Sequence, residues 1–116
     1  MHEMPVVESI LGIVLKYAEA NQVQRIVSIS LMVGEMSDLE PEWLQSYFEF
    51  FSRETMAEGA VLKITRTPVV LACNDCGNTV TVTRDEMAEI ICPACQGKRF
   101  NLHSGNEYYI KDMEVI

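Results

Sequence analysis

The chain has 116 residues, of which 48% are hydrophobic and 22% are charged; this is the size and composition of one small globular domain with a modest core. Its 9 basic and 17 acidic residues give a formal net charge of −8, which disfavours nucleic-acid binding because phosphate contacts need clustered Lys and Arg. No apolar run approaches the roughly 20 residues of a membrane span, and no basic and apolar leader opens the chain. We therefore expect a cytoplasmic protein that does not enter a membrane.

The first part of the chain predicts a helix followed by a strand. Over residues 5–20, Pro5 suits a first helical turn and apolar residues recur at helical spacing. The helix should end near Asn21, whose short polar side chain tolerates a left-handed cap. Residues 25–34 then alternate between apolar and polar side chains, as expected for a strand with one buried face.

A second helix is expected to begin at Pro41, with Asp38 or Glu40 available to the N–H groups of its first turn. The helix is rich in aromatic residues at helical spacing, and such residues usually pack against a sheet. They are Trp43, Tyr47, Phe48, Phe50 and Phe51.

The second half of the chain predicts strands around a polar segment. Residues 61–72 have strand character that is interrupted by Pro68, which marks an edge or a strand end because proline cannot donate to a ladder. Residues 79–83 alternate as a short strand, and residues 84–89 form a polar turn or a single helical turn. Residues 107–116 predict the final strand.

These elements predict an α+β fold in which two helices pack on a small three-stranded sheet. If the last strand returns to the sheet of the first two, residues 1–72 and 105–116 form one α+β domain. Residues 73–104 are then a four-cysteine ribbon inserted between the last two strands.

All four cysteines lie in two Cys-x-x-Cys pairs, Cys73 with Cys76 and Cys92 with Cys95, separated by fifteen residues. This spacing is a zinc signature, because each turn directs two thiolates at one ion and together they complete a tetrahedron. Gly77 and Gly97 follow the two pairs, where a turn can take positive φ. Four thiolates leave no position for water, so we expect one structural zinc.

Other uses of four cysteines fit the sequence less well. A disulfide framework suits a secreted chain, and a redox Cys-x-x-Cys usually occurs once rather than as two matched turns. A metal-dependent hydrolase is disfavoured because one ion would use all four cysteines and no general base lies in a familiar motif. We therefore expect no catalysis.

The chain opens with Met1, His2 and Glu3. A histidine in second position brings the α-amine, the His2 amide nitrogen and imidazole Nδ1 into joined chelate rings around one ion, and the Glu3 amide nitrogen can close the plane. The Glu3 carboxylate can assist or support the ligands. Nitrogen donors in a plane suit Ni(II) or Cu(II). A histidine near a terminus is more often simply solvated, and the residues alone leave both interpretations open.

The order of short motifs along the whole chain resembles that of the hydrogenase nickel-insertion protein family, HypA (also HybF). The combination of an initial Met-His-Glu with a late four-cysteine ribbon carries the resemblance. The motifs are Met1-His2-Glu3-Met4, Gly34-Glu35 with Ser37, Ala57-Glu58-Gly59-Ala60, the two Cys-x-x-Cys turns and Gly105-Asn106-Glu107.

The resemblance implies a nickel metallochaperone that acts during maturation of [NiFe]-hydrogenase. Met1, His2 and Glu3 match the nickel end of the family, and the four cysteines match its zinc ligands. The implied partners are the GTPase HypB and the hydrogenase large subunit. Family members commonly carry Ser at the position of Pro5, a change that leaves the chelating nitrogens intact.

A zinc-ribbon adaptor that joins protein partners without carrying nickel is the alternative. It would hold zinc and take up no nickel selectively. His103 is expected to be a surface histidine. Monomer and homodimer are both compatible with the sequence.

Overall fold

The computed structural model describes residues 3–116. Within this range the chain forms two α-helices, six strands and one 3₁₀ helix at Arg84–Glu89. In chain order they are α1 (Glu3–Ala20), β1 (Ile26–Gly34), α2 (Pro41–Phe51), β2 (Val61–Thr67), β3 (Val69–Cys73), β4 (Thr79–Val82), β5 (Phe100–Ser104) and β6 (Tyr108–Val115).

The strands form two three-stranded sheets, with the orders β2-β1-β6 and β4-β3-β5. The first sheet confirms the prediction that the last strand rejoins the first two. The strand predicted over residues 61–72 is in fact two strands that end and begin on either side of Pro68 and belong to different sheets. Strand β5 was not predicted, because Phe100–Ser104 follows directly on the second cysteine turn.

The chain divides into two compact units. The helical unit comprises residues 3–32, 38–65 and 109–116, and the four-cysteine unit comprises Val33–Ser37 and Arg66–Tyr108. The predicted boundary at residue 73 lies inside the four-cysteine unit, since β3 pairs antiparallel with both β4 and β5. The assignment of nickel binding to one part of the chain stays a prediction.

The core of the helical unit is built from one face of each helix and one face of β1. The predicted apolar face of α1 is buried, as are Leu44 and Phe48 of α2. Val27, at the start of the apolar face of β1, is only half-buried, whereas Ile29 and Leu31 are fully buried. The buried residues of α1 are Glu3, Val7, Ile10, Leu11, Val14 and Ala18.

The aromatic residues of α2 are not all buried, and the prediction that they pack in the core is wrong for Trp43 and Phe50. Phe48 alone among them is buried. Trp43 is 46% exposed and Phe50 is 53% exposed, while Tyr47 and Phe51 are half-buried. Helical spacing identifies residues that share a face, but it does not show whether another element covers that face.

The end of α1 also differs in detail from the prediction. The helix ends at Ala20, and the left-handed residue is Gln22, with φ of 55°, rather than Asn21. The Asn21 side chain instead donates a hydrogen bond from Nδ2 to the carbonyl of Tyr17 at 2.9 Å. The same carbonyl also accepts the Asn21 backbone N–H at 3.1 Å, so the side chain supplies a second donor to it.

The opposite face of the first sheet carries a row of polar side chains across all three strands. The Glu114 carboxylate of β6 accepts hydrogen bonds from the Ser28 hydroxyl of β1 at 2.8 Å and from Nζ of Lys63 of β2 at 2.7 Å. The contacts with Lys63 and Ser28 lower the pKa of Glu114. This row explains why Ser28 is buried although it lies on the polar side of the strand.

A close backbone contact joins Gly34 and Gly105 in the four-cysteine unit. A Cβ on Gly34 would lie 2.0 Å from the carbonyl oxygen of Gly105. The Gly34 N–H donates to the carbonyl of Glu107 at 2.9 Å, and the Met36 N–H donates to the carbonyl of Gly105 at 2.8 Å. Gly105 itself has φ of +121°. The two glycines therefore allow an approach that no other residue permits.

Gly34→Ala should destabilise the protein by about 1–3 kcal/mol, because the new methyl group displaces the Gly105 backbone. Gly12→Ala is the matched control. Gly12 is an exposed interior position of α1 with no atom within 4 Å of the added Cβ, so alanine should stabilise by about 1 kcal/mol. Urea unfolding of zinc-saturated protein measures both changes. An equal effect of the two substitutions would contradict the role assigned to Gly34.

Candidate metal centre

The two cysteine turns have the same hydrogen-bond pattern. In the first, the Gly77 N–H donates to the Cys73 carbonyl at 2.9 Å and the Cys73 N–H donates to the Asn78 carbonyl at 2.8 Å. In the second, the Gln96 N–H donates to the Cys92 carbonyl at 2.7 Å and the Cys92 N–H donates to the Gly97 carbonyl at 2.9 Å. Each turn is thus closed by its own backbone, which holds its two thiols on one side.

The glycines after the two pairs have different roles, contrary to the shared role that their position predicts. Gly77 has φ of +78° as expected, but in the second turn the left-handed residue is Gln96, with φ of 63°. Gly97 instead lies where there is little space for a side chain. A Cβ there would lie 2.6 Å from Asp75 Oδ2 and 3.2 Å from Cys95 Sγ.

The four sulfur atoms converge on one point. All four lie within 4.8 Å of one another, with 3.5 Å between the sulfurs of Cys73 and Cys95 and 3.6 Å between those of Cys76 and Cys92. A tetrahedron of sulfurs at about 2.3 Å from a zinc ion has edges of about 3.8 Å. The donor type and the distances therefore fit a zinc ion with four thiolate ligands.

Backbone N–H donors and neighbouring thiols shift the pKa values of the cysteine thiols. The N–H groups of Cys95 and Ala94 lower the pKa of the Cys92 thiol to about 6. The Gly97 N–H lowers the pKa of the Cys95 thiol as well, but the adjoining thiols of Cys73 and Cys76 outweigh it and raise that pKa to about 12. Four thiolates at this separation repel one another, and a divalent cation removes that repulsion.

The protein around the cysteines supplies only a small apolar core. Val69, Leu71 and Val82 form a buried cluster of three residues, and Met36, Val80, Met87, Ile90 and Phe100 pack against it. The first turn is further tied to the chain before β5, since the Asn74 N–H donates to the Arg99 carbonyl at 2.9 Å and Arg99 pairs with Asp75 at 2.6 Å. A core of this size needs a metal to complete it.

The family model for hydrogenase/urease nickel incorporation, metallochaperone, HypA, matches residues 1–115. The chain belongs to the HypA family. The family is one of nickel incorporation metallochaperones for hydrogenase maturation. The hydrogenase maturation factor HypA of Rhizobium leguminosarum bv. viciae is 38% identical over 116 residues, and that of Rhodobacter capsulatus is 37% identical over 116 residues. Each alignment covers 100% of both chains.

Two solved HypA structures share the fold. The solution structure of the Ni metallochaperone HypA from Helicobacter pylori has a TM-score of 0.72 and 28% identity, and covers 100% of this chain and 98% of that one. A second HypA solution structure has a TM-score of 0.77 and 28% identity, and covers 100% and 97% of the two chains. The α+β fold and the family predicted from the sequence are confirmed.

Two of the three predicted nickel ligands, Met1 and His2, lie outside the described residues. Glu3 is described, and its position was not predicted. It is 1% exposed, and its Oε2 accepts a hydrogen bond from the Glu40 N–H at 2.9 Å. Glu40 is the N-cap residue of α2 and makes no side-chain capping bond. The Glu3 carboxylate, on α1, therefore binds an N–H group at the start of α2, a role that was expected of Asp38 or Glu40.

Among residues 3–116, the four cysteines are the only group of three or more His, Cys, Asp or Glu side chains close enough to share an ion. His103 lies on β5 and is exposed, as expected. No helix in the described range is long and apolar enough to cross a bilayer.

Metal analysis of the parent protein should find about one zinc per chain. Cys76→Ala removes one of the four thiolates and should therefore lose the zinc. The amide protons of Gly77 and Gln96, which exchange slowly in the zinc-loaded protein, should then exchange rapidly. Cys76 is exposed, so its loss opens no core cavity. Asn74→Ala, at an exposed position in the same turn, is the control and should retain zinc. Hydrogen exchange with and without chelator measures the effect, and zinc retained at full stoichiometry by Cys76→Ala would contradict the assignment.

Proposed function

We propose that this chain is a cytoplasmic nickel metallochaperone without catalytic activity that binds Ni(II) through Met1, His2 and Glu3. It supplies the ion to the large subunit of [NiFe]-hydrogenase together with the GTPase HypB. The match of residues 1–115 to a nickel incorporation family carries the proposal. Nickel is the cargo, and the zinc held by the four cysteines is structural.

The closed geometry of the four-cysteine site supports a separate site for nickel. Four sulfurs within 4.8 Å of one another fill the coordination of one zinc ion and leave no position for exchange. An ion that has to be handed to another protein needs ligands that can be released readily. The first three residues offer the nitrogen donors that Ni(II) prefers.

The position of Glu3 supports a division of roles between its two functional groups. Glu3 is the first residue of α1, and the first N–H groups of a helix stand outside its hydrogen-bond ladder. Replacing the Glu3 amide proton with nickel therefore leaves the ladder of α1 intact. The carboxylate contacts the Glu40 N–H instead, so in this proposal it anchors the chain at the start of α2 and does not bind the ion.

His2→Ala, or a Gly-Ser extension before Met1, should abolish stoichiometric Ni(II) binding at neutral pH, because each removes a chelating nitrogen. Zinc content should not change. Affinity in the parent protein should fall as the pH falls, since the imidazole must be neutral and the amides must lose their protons. Equilibrium dialysis and visible absorbance measure binding, and His103→Ala, the other histidine, is the control. Undiminished nickel uptake by the extended protein would contradict the terminal site, whereas the absence of selective uptake by the parent protein would favour the adaptor alternative.

Glu3→Ala should destabilise the helical unit by about 1.5–3 kcal/mol, because the Glu40 N–H loses the charged acceptor that the buried Glu3 side chain provides. Nickel stoichiometry should remain one per chain, since alanine retains the backbone nitrogen. Glu8→Ala removes an exposed carboxylate from the same helix and should change stability little. Urea unfolding and equilibrium dialysis separate the two roles. A complete loss of nickel with unchanged stability would assign the carboxylate to the ion.

A further inference from the structure

Helix α2 presents a row of aromatic rings to solvent. Trp43, Tyr47 and Phe51 are spaced by four residues and lie along one side of the helix. The ring centroids are 5.8 Å apart for Trp43 and Tyr47 and 6.4 Å apart for Tyr47 and Phe51. Phe50 meets Phe51 edge to face at 5.3 Å. We call these four residues the aromatic ladder.

The fully buried residues that attach α2 to the helical unit lie outside the ladder. That attachment uses Leu44 and Phe48, which are 0% and 1% exposed. Trp43 and Phe50 remain about half exposed, although aromatic side chains gain most from burial. Single exposed apolar residues are ordinary, whereas four contiguous aromatic rings on one helix form the kind of patch that binds another molecule.

The charges around the ladder define the chemistry of its partner. Glu42 and Glu49 are exposed on α2 beside the ladder, and Glu54 and Glu58 are exposed in the turn that follows. Arg53 is the only basic residue between Leu39 and Ala60, and its guanidinium lies 5.2 Å from the centre of the Phe50 ring. This contact shows that one ring of the ladder accepts a cation on its face.

We propose that the aromatic ladder docks a basic amphipathic helix of a partner protein. Apolar side chains of that helix would lie across the rings, and its Lys or Arg residues would reach Glu42 and Glu49. A second copy of the chain would place these carboxylates against their equivalents, and an anionic membrane or a nucleic acid would meet the same repulsion. The proposal goes beyond nickel carriage and does not depend on it.

Trp43 reports on this surface directly, because it is the only tryptophan in the chain. The probe is a synthetic helical Leu/Lys peptide of about 18 residues without aromatic residues, with Leu at helical spacing. Titration of zinc-loaded protein should give a saturable blue shift of Trp43 emission at a one-to-one ratio. A Leu/Glu peptide of the same pattern should give none.

Phe50→Ser should weaken peptide binding about tenfold or more, as expected for an exposed aromatic anchor. Glu42→Lys combined with Glu49→Lys should weaken it to a similar degree without altering the rings, and it serves as the test if Phe50→Ser folds poorly. Ile13→Ser is the control, since Ile13 is 57% exposed on α1 and should leave binding unchanged.

Three results would overturn the proposal. The first is a blue shift that does not saturate, or that is equal for the parent protein and both variants. The second is a blue shift that grows with protein concentration in the absence of peptide, which would make a second copy the occupant. The third is a shift with phosphatidylserine vesicles but not with the Leu/Lys peptide, which would make a membrane the occupant.

Discussion

The attraction between one divalent cation and four thiolates is the constraint on which the four-cysteine unit depends. Without an ion, sulfurs 3.5–3.6 Å apart in pairs oppose each other's ionisation, as the high pKa of Cys95 indicates. The buried apolar cluster beside them contains only Val69, Leu71 and Val82. Because so little surface is buried, we expect metal binding and folding of this unit to be one equilibrium.

Because folding of the four-cysteine unit depends on its ion, a structural metal site and a site for transferable metal have different requirements. A site whose ligands also hold the fold together cannot release its ion without unfolding the surrounding chain. A carrier built on such a unit must bind its cargo elsewhere, with ligands whose loss leaves the structure intact. In the nickel site proposed here, Glu3 would provide its amide nitrogen to the ion and keep its carboxylate on the Glu40 N–H, so release of nickel would not detach α1 from α2.

Much of the fold could be predicted from the sequence because its signals are local. Pro41 begins α2, Pro68 separates β2 from β3, and the cysteine spacing defines the metal centre. The features that could not be predicted depend on contacts between distant residues. Glu3 caps a helix that begins 38 residues later, and Gly34 is required by the backbone of Gly105. Local patterns contain no information about such neighbours.

The aromatic residues of α2 are a second case in which local spacing could not predict a tertiary contact. Spacing predicted correctly that several of them share one side of the helix, but it could not show that Leu44 and Phe48 alone would fill the core. A helix with apolar residues over more than one side is normally buried on more than one side. In α2 the second apolar side is only partly covered and is bordered by carboxylates. Its composition is therefore explained better by a surface that a basic partner covers on binding than by the stability of the isolated chain.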